Sequence, residues 1–142
     1  MNFKKIIIIC GIIFLTGCKT NYLECSKNFT DDKYGNRNQT INVTFKDDEI
    51  YNLKLNVDVS FVDGTIDSRD QIISSLQSAF SGFNDKHIKY STKLNDNGFV
   101  FKLNVNFNKL SEEVKKNLYI INYKNSYDEL KIEFESSGYL CK

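Results

Sequence analysis

The stretch Ile41 to Phe61, INVTFKDDEIYNLKLNVDVSF, decides the fold. Ile41, Val43 and Phe45 alternate with Asn42, Thr44 and Lys46. After Asp47-Asp48, the residues Tyr51, Leu53, Leu55, Val57, Val59 and Phe61 alternate with Asn52, Lys54, Asn56, Asp58 and Ser60. Successive side chains of a strand point to opposite faces, so this period of two predicts an antiparallel hairpin with one buried and one solvated face, turning at the two aspartates.

Downstream the period changes and then returns. Ser68 with Gln71 spells a helix-start capping box, and Ile72, Ile73, Leu76, Ala79, Phe80 and Phe83 fall at helical spacing up to Gly82. A second hairpin is predicted from Ile88, Tyr90, Thr92 and Leu94, an Asn97-Gly98 turn, then Phe99, Phe101, Leu103, Val105 and Phe107. Ser111 opens a short helix bearing Val114 and Leu118. In the final segment, Leu130, Ile132 and Phe134 alternate as in a strand. Ser126 with Glu129 forms a capping box, however, and Gly138-Tyr139-Leu140 resembles a helix stop, which favours a helix over 126–137. The expected fold is α+β and two-layered: an antiparallel sheet of about four strands, built from two hairpins, against amphipathic helices in the order β-β-α-β-β-α-α.

Upstream of the hairpin, Lys4 and Lys5 precede Ile6 to Leu15, an apolar run of about ten residues. That suits the core of an export signal and falls short of the ~20 residues of a membrane span. Leu15-Thr16-Gly17-Cys18 follows, an apolar residue and two small ones before a cysteine. This pattern resembles the processing motif of bacterial lipoproteins, in which the thiol is lipidated and the chain is cut before it. Residues 1–17 are therefore expected to be a signal peptide, 18–39 a lipidated tether and lead-in, and 40–142 a single domain. The protein would sit on the extracytoplasmic face of the cell membrane, held by acyl chains on Cys18; two chains suffice for stable anchoring.

Of the four cysteines, Cys10 leaves with the leader and Cys18 takes the lipid, leaving Cys25 and Cys141. In an oxidising compartment two thiols predict a disulfide, with Cα atoms about 4.4 to 6.8 Å apart. Free thiols or a metal pair are the rival readings, but His87 is the sole histidine and no CxxC spacing occurs, so no metal site and no cofactor are expected. Without the leader, 17 basic residues face 18 acidic ones. Such balance gives no reason to expect nucleic acid.

With hairpin, helix, hairpin and two helices in place, the chain resembles the YehR-like family of small bacterial lipoproteins. The resemblance lies in Cys18, the strand pair around Phe45-Lys46-Asp47-Asp48-Glu49-Ile50, the amphipathic middle helix, the stretch Phe99 to Ser111, and the ending Glu133 to Tyr139. It implies an α+β fold and brings no catalytic residues with it. The Cys25 and Cys141 pair departs from the family pattern.

Other motifs have ordinary readings. Asn28, Asn38 and Asn42 head glycosylation-type triplets in an Asn-rich chain. Asp31-Asp32 and Asp47-Asp48-Glu49 lack the D-x-D-x-D-G spacing of a calcium loop. Tyr90, Tyr119, Tyr123, Tyr127 and Tyr139 could stack on a sugar, although core and rim positions are the commoner use. His87 has no nucleophile motif beside it. Two function classes follow. The first is a non-catalytic, lipid-anchored accessory module binding a protein, a peptide or an envelope polymer. The second is a small envelope hydrolase using carboxylates such as Asp58, Asp63 or Asp67 as acid and base, recognisable by two of them about 5 to 10 Å apart in a groove. The first is favoured, because aspartates alternating with Asn and Lys are what a solvated sheet face shows.

Overall fold

The computed structural model describes residues 19–32, 35–62 and 68–142. Cys18, Asp63 and Asp67 lie outside the described residues. The sheet is formed by β1 (Thr20–Asp31), β2 (Gly35–Lys46), β3 (Glu49–Ser60), β4 (Ile88–Asn95), β5 (Gly98–Val105) and β6 (Leu140–Cys141). The helices are α1 (Arg69–Ser81), α2 (Glu112–Asn117) and α3 (Tyr127–Ser136), and a 3-10 turn spans Phe107–Lys109.

The sheet corrects the expectation of four strands and a β-β-α-β-β-α-α order. Six strands lie in the spatial order β4-β5-β3-β2-β1-β6, every pair antiparallel. The segment expected to be a polar tether and lead-in is a 12-residue strand paired along its whole length with β2. Its apolar signal is thin because only Leu23 and Cys25 are fully buried, while Asn21 and Lys27 occupy further inward positions of the same period. Lys27 tolerates that place by lying over the rings of Phe29 and Tyr139 and donating to the Ser137 carbonyl at 2.6 Å. β6 is two residues long and has no periodicity to display.

The β2–β3 hairpin turns where expected. Asp47 and Asp48 both take positive φ, 50° and 66°, as a type I′ turn requires, and a register shift follows between Thr44 and Phe45. The β4–β5 turn falls one residue earlier than expected, on Asp96-Asn97, and Gly98 already belongs to β5, opposite Ser60. A Cβ at Gly98 would collide with the Val59 carbonyl, so the backbone approach there demands glycine.

Leu23, Phe45, Leu53, Phe99, Phe101 and Leu103 project from one face of the sheet into the core, where Phe107, Leu118, Leu130 and Phe134 from the helical layer meet them. Each fully buried Phe or Leu contributes about 2 to 3 kcal/mol by removal from water. All three helices contribute to this one face. Phe80 of α1 stacks on Phe101 at 5.7 Å, Val114 of α2 packs against the core, and Tyr127 of α3 meets Phe45 edge-on at 5.5 Å.

The helix ends divide. At α1 the expected capping box is not formed: Ser68 has helical dihedrals and no side-chain cap bond, and no α1 residue is fully buried. Ser111 caps α2 through the Val114 N–H. α3 bears out both of its signals. Ser126 and Glu129 form the reciprocal box, and Gly138 at φ 83° allows Tyr139 N–H to reach Phe134 O and Gly138 N–H to reach Glu135 O. The Phe134 and Tyr139 rings then close this stop at 5.3 Å.

Candidate functional site

With the helices on one face, the other face of the sheet is open, and the register fixes its rows. One row runs Lys89, Asn104, Lys54, Asn42 and Glu24 across β4, β5, β3, β2 and β1. The next runs Ser91, Lys102, Asn56, Thr40 and Ser26, and a third Lys93, Val100, Asp58, Asn38 and Asn28. A shallow groove of about 420 Å³ lies over the first two rows, with Leu55, Tyr90 and Leu103 between their outward-facing residues. The ammonium groups of Lys54, Lys89 and Lys102 stand at its rim, all three side chains exposed.

Asparagine amides fill the spaces between the lysines. Asn52 Nδ2 donates to Asn104 Oδ1 at 2.9 Å, which orients the Asn104 amide so that its own NH₂ faces outward as a donor. Toward β1 the face becomes neutral, because Glu24 is paired with Lys142 at 3.1 Å. The groove therefore gathers lysine and asparagine donors at the β4-β5-β3 side, over a lining that is mostly apolar. It can hold an anion or a hydroxylated chain by hydrogen bonds.

Of the carboxylates expected of a hydrolase, Asp58 stands on this face with Val100 and Asn38 as its cross-strand neighbours. The described residues bring no second carboxylate into its row. Among the described residues no group of three potential metal-ligating side chains is found. The Asp47-Asp48 pair is engaged in structure: Asp47 Oδ1 accepts from Lys19 N–H at 3.2 Å and Asp48 Oδ1 from Tyr127 N–H at 3.0 Å. His87 is half-buried ahead of β4, its N–H bonded to Asp85 Oδ1 at 2.8 Å.

The tyrosines do not form one platform. Tyr90 packs on Phe80 and Phe101, Tyr127 on Phe45, and Tyr139 on Phe134, while Tyr123 donates to Glu112 Oε2 at 3.0 Å and Tyr119 is exposed. The perturbed titrations also lie in the helical layer. Hydrogen bonds from Lys115 and Tyr123 hold the Glu112 carboxyl below its ordinary value, and burial raises Tyr139. Glu129 is lowered by the Ser126 backbone N–H and then by its hydroxyl.

Cys25 and Cys141 are bonded, and they face each other across β1 and β6. Their Cα atoms are 4.1 Å apart, slightly closer than the 4.4 to 6.8 Å expected from sequence. Antiparallel strands approach most closely, about 4.5 Å, at pairs that exchange no backbone hydrogen bonds, and this is such a pair because the bonds go to Glu24 and Lys142 beside it.

Two solved structures resemble this one. A protein from Streptococcus pneumoniae TIGR4, determined by NMR, superposes with a TM-score of 0.59 at 13% identity, over 87% of this chain and 86% of that one. The two share a fold. The E. coli YehR protein, also determined by NMR, superposes with a TM-score of 0.60 at 9% identity, over 88% of this chain and 92% of that one. The expected likeness to YehR is thus present as a fold. No family model matches the chain, and no curated protein matches it. Among the described residues, no helix is long and apolar enough to cross a membrane.

Proposed function

We propose that this protein is a lipid-anchored, extracytoplasmic binding module, non-catalytic, that receives its ligand on the open face of the sheet. The observation behind this reading is the contrast between the two faces. One is covered by three helices, and the other presents Lys54, Lys89 and Lys102 around asparagine amides with no helix of the described residues over them. A solvated sheet face has no need of a groove that gathers donors of one sign, whereas a binding face does.

The anchor belongs to the same reading. Lys19, directly after Cys18, is bonded on both sides to Asp47: its N–H reaches Oδ1 at 3.2 Å and its carbonyl accepts the Asp47 N–H at 3.0 Å. With acyl chains on Cys18, the domain would stand on the outer leaflet with almost no linker.

A photo-crosslinking residue at Asn56 on the open face, compared with one at Ile132 on the outer side of α3, tests the binding face in intact cells. The expectation is a discrete adduct from position 56 and none from 132. Equal or absent labelling at both sites would contradict the reading.

A further inference from the structure

We infer that the ligand of the open face is a linear phosphate-bearing polyanion other than nucleic acid, an envelope polymer lying across β3, β5 and β4. This rests on the proposed binding module and names what it binds. The charge arrangement leads there. A chain whose acidic and basic residues nearly balance places Lys54, Lys89 and Lys102 on one face, and no carboxylate enters the two rows they occupy until Glu24, which Lys142 neutralises.

The spacing fits a chain of separated charges better than a single small anion. Lys54 and Lys89 flank Asn104 on the two neighbouring strands, about 9 to 10 Å apart, and Lys102 is two residues along β5 from Asn104, about 7 Å. Flexible ammonium groups so placed can meet successive phosphates, with the Asn56 and Asn104 amides donating between them.

Residue type narrows the chemistry. Planar carboxylates are recognised bidentately by arginine, and the chain's two arginines are committed elsewhere: Arg37 lies over the Phe29 ring at 3.9 Å and Arg69 donates to the Asn95 carbonyl. Lysine is a point charge suited to phosphate. Single-stranded nucleic acid requires aromatic stacking platforms. Tyr22, and Tyr51 beneath the Lys46 ammonium at 3.8 Å, stand toward the β2–β3 turn and outside the residues that line the groove.

Height above the membrane separates a polymer from the lipid headgroups. Counting along β1 from Thr20, the row of Lys54 lies about 14 Å and that of Lys102 about 20 Å from the anchor end. Screening in physiological salt acts over about 8 Å. With Cys18 anchored and β1 rising from the membrane, these lysines would stand past the headgroup charges and face what lies above them.

The test uses the full chain in neutral detergent with long-chain inorganic polyphosphate as probe. Single-stranded DNA and phosphatidylglycerol vesicles serve as the competing probes. Polyphosphate should bind, and engaging three lysines should weaken binding about twentyfold between about 50 and 200 mM salt. The pair Lys54→Glu with Lys102→Glu should lose at least tenfold, as should the milder Lys54→Gln with Lys102→Gln. Lys116→Glu with Lys124→Glu, on the helical side, should change binding less than twofold. Absence of polyphosphate binding, equal loss from both glutamate pairs, tighter binding of the DNA, or vesicle binding that depends on Lys54 and Lys102 would each overturn the inference. Adducts from position 56 in cells without polyphosphate binding would sink the polyanion and leave the binding module standing.

Discussion

Glu24 of β1 and Lys142 at the end of the described chain exchange both backbone hydrogen bonds, at 3.1 and 2.9 Å, and their side chains pair at 3.1 Å. The exposed ion pair is worth little by itself. The two backbone bonds matter more, because they set the register that brings Cys25 opposite Cys141 and ties the exit of α3 to the sheet.

The disulfide is therefore expected to dominate the stability of this edge. It joins residues 116 apart, and the chain-entropy argument gives about 4 to 5 kcal/mol for a loop of that length. The paired substitution Cys25→Ser with Cys141→Ser should lower Tm by ten degrees or more. Thermal unfolding checks this, with non-reducing peptide mapping of the wild type to identify the linked peptides.

The cap of α3 should give a pH signature. Glu129 is depressed in the folded state by its bonds from Ser126, so its contribution is present above the ordinary carboxylate range and is lost as pH falls through the folded value. Ser126→Ala should cost about 1 kcal/mol at neutral pH. The destabilisation by Glu129→Ala should be measurable at neutral pH and fade toward pH 3 in paired thermal melts.

Two glycines should respond in opposite directions. At Gly98 an alanine Cβ would strike the Val59 carbonyl, so Gly98→Ala should cost more than about 2 kcal/mol. Gly82 has ordinary helical dihedrals and open space around it, so Gly82→Ala should stabilise by about 0.4 to 1 kcal/mol. Denaturant unfolding of the two variants separates the cases.

What was legible in the sequence was what local chemistry encodes. Alternation from Ile41 to Phe61 marked β2 and β3, and Ser126, Glu129 and Gly138 marked both ends of α3 despite the strand-like Leu130-Ile132-Phe134. β1 was hidden because Lys27 and Asn21 occupy inward positions, and β6 because two residues carry no period. Ser68 offered the right spacing for a cap that the backbone does not make. The site itself was readable only as alternate polar residues. Its convergence depends on setting the β4–β5 hairpin beside β3, with Lys54 opposite Asn104, a register between strands that are distant in sequence.

The anchor has its own test. Cys18→Ser should leave an uncleaved precursor or release the protein into the medium, as followed by fractionation and mass spectrometry. Membrane retention and processing like those of the wild type would contradict lipidation at this position.

The open face as the binding face is tested most directly by lysine footprinting of the anchored protein in its native envelope against the same protein purified in detergent. Amine acylation at each lysine is read by mass spectrometry. Lys54, Lys89 and Lys102 should be labelled at least threefold more slowly in the envelope, while Lys116 and Lys124 on the helical side react alike in both. Equal labelling of the three open-face lysines in the two states would contradict the account.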